Sequence, residues 1–426
     1  MSAPRKIAYD VLVRCASAEQ YSNIALDTAI KRSALTPPNR GLLTTLVYGV
    51  IERQITLDAI IDNLCNRGSK SISFDVRTLL RLGLYQLAYL DRVPDHAAVN
   101  ETVNMSPKRN RAFVNAILRA FIRGGKKIPI PDKEKDAVGY LSVKYSFCPA
   151  LCRKFIDTFS LERTEQLFAA FGEQPDLTLR TNTLRISREE LIQKIEGQGI
   201  HALPTKESDA GIRVCDKSPV TELYGFDEGL FFVQDEASQL CVKALDAKEG
   251  MKVLDACACP GSKSFGAAID MNNKGSVLSC DLHRNKLSLV ESGAARLGIT
   301  IVTTEERDAR NANEAWFGNF DRVLCDVPCS GFGVFAKKPE LRYKDPAASE
   351  ALPDIQLAIL KNASNYVKVG GKLVYSTCTL LPAENDWNVD RFLKDNDNFN
   401  LWDARTLYPD IDGTDGFFYA VMERVK

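Results

Sequence analysis

The sequence predicts three successive folds: an all-α bundle, a small α/β segment, and a doubly wound α/β domain on a mainly parallel sheet. Three observations carry this. Residues 5 to about 123 repeat apolar positions at three- and four-residue spacing, with few alternating β-branched runs. From about Gln234, short apolar runs recur with helical stretches between them, the βαβ alternation of a parallel sheet. Between these regions stands Gly124-Gly125-Lys126-Lys127-Ile128-Pro129-Ile130-Pro131, whose glycines and prolines read as a linker. The expected boundaries are 1–130, 131–233 and 234–426.

The front reads as a bundle of five to seven helices. Arg5–Lys31 is a helical run, and Asn39–Leu64 follows after Thr36-Pro37-Pro38, where proline suits a first turn. Phe74–Leu90 and Arg109–Phe121 continue the pattern. In the middle segment, helical runs (Ala150–Phe159, Thr164–Phe171, Arg188–Gln198) mix with strand-like ones (Leu177–Leu184, Ile212–Cys215, Leu230–Val233). The last region offers strands at Lys252–Cys257, Ser276–Cys280, Thr300–Thr303, Arg322–Cys325 and Lys372–Tyr375. Its helices are Lys263–Ile269, Asn285–Leu297, Asp354–Val367 and Asn385–Asn396.

Charge divides along the same lines. The 426 residues carry 55 Lys/Arg and 55 Asp/Glu, a formal net charge of zero. Residues 1–130 hold 19 Lys/Arg against 10 Asp/Glu, a net of +9, so the remainder is −9. A basic front on a neutral chain points towards a polyanionic partner. No apolar h-region opens the chain and no run approaches 18 apolar residues, so neither a secretory signal nor a membrane helix is expected. The 12 cysteines are spread through a long chain and read as reduced thiols of a cytoplasmic protein. Three histidines and no paired zinc spacings argue against a metal site or a Ser-His-Asp triad.

In such a sheet ligands bind beyond the carboxyl ends of the strands. The first strand runs into Ala256-Cys257-Ala258-Cys259-Pro260-Gly261-Ser262-Lys263, a turn of small residues that lets a ligand approach the backbone. It lacks the G-x-G-x-x-G dinucleotide signature. Asp281 ends the second strand, 26 residues after Asp255, near the spacing at which an acid takes ribose hydroxyls. Taken alone it also reads, with less weight, as a helix N-cap. Asp308 follows the third strand and reads equally as a solvated loop acid. The fourth strand ends Asp326-Val327-Pro328-Cys329-Ser330-Gly331, and the fifth Ser376-Thr377-Cys378-Thr379. Adjacent strands would bring Cys329 and Cys378 to one pocket. A lone thiol is ordinarily a small buried hydrophobe. Two at neighbouring strand tips, one beside an acid, form a sharper pattern.

These stretches resemble the RNA cytosine-C5 methyltransferase family, in particular its bacterial ribosomal (RsmB) branch. Residues 253–264 resemble its S-adenosylmethionine motif, Asp326 to Gly331 its Pro-Cys motif, and Ser376 to Thr379 with Glu384-Asn385 its Thr-Cys motif. Gln234-Asp235-Glu236-Ala237-Ser238 and Asp415-Gly416-Phe417-Phe418 match flanking motifs, and the basic front resembles NusB-type RNA-binding bundles. The chain departs from the family's usual Ala and Gly at Cys259 and Ser262. The resemblance implies a Rossmann-like class I methyltransferase domain using S-adenosyl-L-methionine. It implies Cys378 as nucleophile and Cys329 as the thiol that releases product. Charge develops on the cytosine ring during attack, and Asp326 fits the group that hydrogen-bonds N3 and N4. It places Asp281 on the ribose, Asp308 near the adenine, and Ala258, Cys259, Pro260 and Gly261 around the methionine moiety, with Asp326 lining that side. Lys263 pairs either with the cofactor carboxylate or with an active-site acid. Position alone does not say which cysteine attacks, nor which group takes the C5 proton.

The implied partner is 16S ribosomal RNA outside the mature ribosome, with the protein acting as a monomer and no membrane involved. Seven cations and no acid lie between residues 108 and 127. Lys108, Arg109 and Arg111 are the leading phosphate contacts in that run. Arg180 and Asn182, in a segment matching the family's middle domain, and Arg342, with Lys337 and Lys338 after the Pro-Cys loop, are further RNA-binding candidates. Three rival readings fit the sequence less well. A nucleotide-dependent oxidoreductase lacks its glycine signature here. A non-catalytic RNA-binding or antitermination factor would not need both thiols. An amino-methyltransferase needs Pro-Pro-aromatic where this chain has Pro328-Cys329. A cytosine at another ribosomal site or in transfer RNA remains open.

Overall fold

Seven helices occupy the front of the chain in the computed structural model, which describes residues 3–18, 22–65 and 71–426. They are Ala3–Ala18, Ser22–Lys31, Pro37–Glu52, Gln54–Leu64, Phe74–Tyr89, Asp95–Met105 and Arg111–Arg123. The long run expected over 5–31 is thus two helices, with residues 19–21 outside the described residues. The run expected over 39–64 breaks at Arg53, which caps the first helix through its backbone N–H. Leu43, Leu46, Val47, Leu57, Ile61, Leu80, Leu84, Val114 and Leu118 form the core. In the last of these helices Val114, Ile117, Leu118 and Phe121 face inward at three- and four-residue spacing, leaving Arg111, Arg119 and Arg123 exposed.

This compact unit continues through Ala137–Tyr145, Pro149–Phe159 and Leu161–Ala170 to Gly172, and it also takes in Lys338–Pro346. The second unit is Glu173–Lys337 with Ala347–Lys426. It opens with a small antiparallel sheet of β1 (Leu177–Thr181), β2 (Ala202–Pro204), β3 (Gly211–Val214) and β4 (Phe231–Val233), in the order β2-β3-β1-β4. The helix Arg188–Glu196 covers it, held at its start by a capping box between Ser187 and Glu190.

The large sheet holds β5 (Lys252–Asp255), β6 (Ser276–Asp281), β7 (Val302–Glu306), β8 (Phe320–Asp326), β9 (Val367–Thr377), β10 (Phe399–Leu407) and β11 (Phe417–Arg424). Their order is β10-β11-β9-β8-β5-β6-β7. β9-β8-β5-β6-β7 run parallel, while β11 lies antiparallel between β9 and β10. The sheet is therefore mixed, with a C-terminal antiparallel pair that the βαβ pattern does not announce. Val253, Leu254, Val323, Leu324, Leu373 and Val374 are buried because helices cover both faces. Among the described residues no helix is long and apolar enough to cross a membrane.

Candidate active site

β8 and β9 are neighbours in register, Asp326 opposite Ser376, so their following loops meet at one end of the sheet. Cys329 Sγ and Cys378 Sγ lie 3.0 Å apart, and the Cys378 backbone N–H donates to Cys329 Sγ at 3.3 Å. The close approach depends on glycine. Gly333 N–H donates to Cys378 O at 3.0 Å, and a Cβ at Gly333 would sit 1.9 Å from Gly416 O. The hydrogen bond to Cys378, burial, and the charges of Cys378 and Glu384 all hold the Cys329 thiol well above the ordinary range.

Asp326 is pinned from two sides. Lys263 Nζ lies 2.6 Å from its Oδ2, and Ser376 Oγ donates to its Oδ1 at 2.8 Å. Burial disfavours charge on Lys263, but Asp326 beside it wins and the pKa is raised. Asp326 is one of the two partners expected for Lys263. Behind this pair, Asp255 accepts from Ser264 Oγ at 2.6 Å, and Ser264 Oγ in turn accepts from Ser279 Oγ at 2.8 Å. Burial pushes the Asp255 carboxyl up to about 6. The spacing of Ser264 and Ser279 carries no motif, so sequence reading passes over this chain.

The turn after β5 is fixed by Ala258 N–H donating to Cys280 O at 2.7 Å, and by Gly261 at φ +110°, a conformation that favours glycine. Cys259 and Pro260 lie within that turn, and the helix Ser262–Asp270 starts beyond it. Asp281 is half-buried, and one of its oxygens accepts from the His283 N–H. This local bond belongs to the turn-forming role of an acid before a helix, and the other oxygen takes no part in it. Both oxygens of half-buried Asp308 are held by Arg310.

On the RNA side the expectations divide. Lys108, Arg109 and Arg111 are exposed at the start of the basic helix. Arg180, Asn182 and Arg342, expected to bind RNA, are instead buried and not available to phosphate. Arg180 is 4 % exposed, pairs with Asp270 at 2.6 Å and reaches Gly266 O at 3.4 Å. Asn182, fully buried, donates to Gly229 O and Leu297 O at 2.9 Å each. Arg342 is 1 % exposed and donates to Tyr145 O and Phe171 O, with its guanidinium 4.8 Å from the Phe147 ring centroid. A buried guanidinium must spend its donors inside the protein, and these three side chains tie segments together. Lys337 is held by Asp235 and Asp415, which joins the two flanking motifs, while Lys338 is exposed.

Comparison with known proteins gives three family matches along the chain. Residues 2–123 match the NusB family, 150–221 a ferredoxin-like domain of RsmF/B-like methyltransferases, and 242–423 the 16S rRNA methyltransferase RsmB/F family. A probable ribosomal RNA small subunit methyltransferase B of Bacillus subtilis is 38% identical over 99% of this chain and 98% of its own length. One from Synechocystis is 35% identical with both chains covered completely. The ribosomal RNA small subunit methyltransferase B of Escherichia coli O1:K1 is 31% identical over 90% of each. Among solved structures, that of PH0851 superposes with a TM-score of 0.82 at 25% identity, covering 99% of both chains. A methyltransferase homologue from Pyrococcus horikoshii gives 0.59 at 25% identity, covering 66% of this chain and 97% of that one.

Proposed function

Because the chain belongs to the RsmB/F family of rRNA cytosine-C5 methyltransferases, we propose that it methylates C5 of one specific cytosine in 16S ribosomal RNA through a covalent bond from Cys378 to C6. The observation that carries this reading is the pair of thiols 3.0 Å apart beside an acid salt-bridged to a lysine. C5 of cytosine is a poor nucleophile. Addition of the Cys378 thiolate to C6 forms the S–C6 bond and turns C5 into an enamine-like carbon. Addition pushes negative charge onto the ring, which N3 neutralises by taking a proton from water and returns when Cys378 departs. Asp326, oriented by Lys263 and Ser376, accepts hydrogen bonds from the N4–H and this N3–H. After methylation a base takes the C5 proton. The C–H electrons restore the C5–C6 double bond, and Cys378 leaves as thiolate. Cys329, within hydrogen-bond reach of Cys378, assists that departure.

The donor set fits S-adenosylmethionine: a partly open acid at the end of β6, a second acid beyond β7, and a small-residue turn opening a helix N-terminus after β5. Asp281 would hold the ribose hydroxyls and Asp308 would lie near the adenine. Ala258, Cys259, Pro260 and Gly261 would receive the methionine moiety, with Lys263 balancing charge through Asp326. When bound, this cofactor supplies an electrophilic methyl group. The exposed cations Lys108, Arg109 and Arg111 would hold RNA phosphates.

Bisulfite sequencing of 16S RNA from cells with and without the protein identifies the product, and loss of one 5-methylcytosine is expected. With purified protein, Cys378→Ala abolishes methyl transfer while cofactor binding persists, and Cys329→Ala accumulates a protein–RNA adduct on denaturing gels. Full activity of Cys378→Ala would sink the nucleophile assignment.

A further inference from the structure

Glu384 is a buried carboxylate that none of the chemistry above uses. It is 2 % exposed, and its Oε1 has no hydrogen-bond partner. Its Oε2 accepts from the Ser330 backbone N–H at 2.9 Å and from Gln356 Nε2 at 2.8 Å. Gln356, itself fully buried, also donates to Pro328 O at 3.0 Å. The residues on either side of Cys329 are therefore each gripped by one member of a side-chain pair. The pair is anchored in turn. Tyr375 OH donates to Glu384 O at 2.6 Å, and Asn388 Nδ2 donates to Gln356 Oε1 at 3.2 Å and to Pro353 O at 2.9 Å. Tyr375 lies on β9 three residues before Cys378, so one network spans both cysteine loops.

Leaving a carboxylate oxygen buried and unpaired is unfavourable. Here the residue sits where the backbone must be held. Val327 N–H bonds Ser376 O and Gly333 N–H bonds Cys378 O, but Pro328 to Ser330 between them make no backbone–backbone hydrogen bond among the described residues. We propose that Glu384, with Gln356, is a positioning residue for Cys329, holding the Pro328–Ser330 backbone so that the Cys329 thiol stays within hydrogen-bond reach of Cys378. Neither side chain touches the reacting atoms. The inference rests on the assignment of Cys329 to product release. If Cys329 acts only when Cys378 departs, loosening its backbone slows release and spares attack. Displacement of a reacting group by about 1 Å can cost on the order of 100-fold.

The test uses the full-length protein, S-adenosylmethionine and a 16S RNA fragment carrying the target site. Glu384→Ala is expected to slow steady-state turnover by about 10- to 100-fold and to accumulate the gel-stable adduct. Single-turnover methyl incorporation and cofactor binding should stay near wild type. Glu384→Gln keeps one oxygen for both donors and should restore most of the turnover. Gln356→Leu, which frees Pro328 O, should show a milder version of the Glu384→Ala defect and serves if that variant does not fold. The proposal is overturned if Glu384→Ala, or Gln356→Leu in its place, turns over normally. It is also overturned if the folded Glu384→Ala loses adduct and methyl transfer together, or if Glu384→Gln is as slow as Glu384→Ala. Absence of adduct in Cys329→Ala run alongside would instead refute the release assignment.

Discussion

The basic helix Arg111–Arg123 and the strand β1 both carry arginines expected to meet RNA, yet they treat them in opposite ways. The helix buries Val114, Ile117, Leu118 and Phe121 and leaves Arg111, Arg119 and Arg123 in solvent. β1 turns Arg180 inward, where it is 4 % exposed and bonded to Asp270 and Gly266. Arg342 is still more enclosed. The difference lies in what surrounds the cation locally. An arginine on the polar stripe of an amphipathic helix has solvent as its default neighbour. An arginine inside a strand of the small sheet, or inside the short helical turn Pro339–Tyr343, has the core as its neighbour. Its terminal nitrogens bond groups there: Gly266 O and Asp270 for Arg180, Tyr145 O and Phe171 O for Arg342.

Two variants probe that contrast, and a third probes the burial of an acid. Arg342→Met keeps the apolar stem but strands Tyr145 O and Phe171 O, and should destabilise the helical unit by about 3 kcal/mol. A thermal melt would show this as a fall of roughly 6–10 °C, and an unchanged melt would erase the distinction. The combined variant Arg109→Ala, Arg119→Ala, Arg123→Ala should leave the melt unmoved. It should weaken RNA binding by up to about 100-fold, with the slope of log affinity against log salt reduced by about 2. Binding titrations at several salt concentrations check it. Asp255 gives the smallest effect. Its pKa of about 6 in the folded protein lies above the ordinary carboxyl value, so the folded state binds the extra proton and stability declines as pH rises towards and through 6. Between pH 5 and pH 8 the wild type should lose about 1.4 kcal/mol that Asp255→Asn does not lose. Melting curves of both proteins at the two pH values measure the gap.

Much of this was readable beforehand, and the exceptions have physical causes. The apolar runs at 252–257, 276–280 and 322–325 are strands within a few residues of the expected bounds, because strands covered on both faces must be continuously apolar. The same logic put Cys329 beside Cys378, since parallel neighbours end together. β10 escaped because it is an edge strand: Asn400 to Ala404 are exposed, and a bulge falls between Leu401 and Asp403. Its sequence has no buried face to alternate with. The burial of Arg342 is not legible locally, because its partners Tyr145 and Phe171 lie more than 170 residues upstream and local charge says nothing about distant carbonyls. Glu384 was visible as part of a motif, but its grip on Ser330 needs three dimensions.

The segment Lys338–Pro346 belongs to the helical unit although it follows the Pro-Cys loop. Tyr343, whose hydroxyl accepts from the backbone N–H of Gln54 and meets Ser146, is 289 residues beyond the first of these. The front of the protein leaves the ribosome first but is not finished first. Its helices must wait, with the seat of Arg342 and Tyr343 open, until most of the second unit has been translated. Contacts so remote along the chain are slow to form. A fragment cut after Gly172 would carry that open seat permanently, so the helical unit is a poor candidate for separate expression unless residues 338–346 are supplied with it.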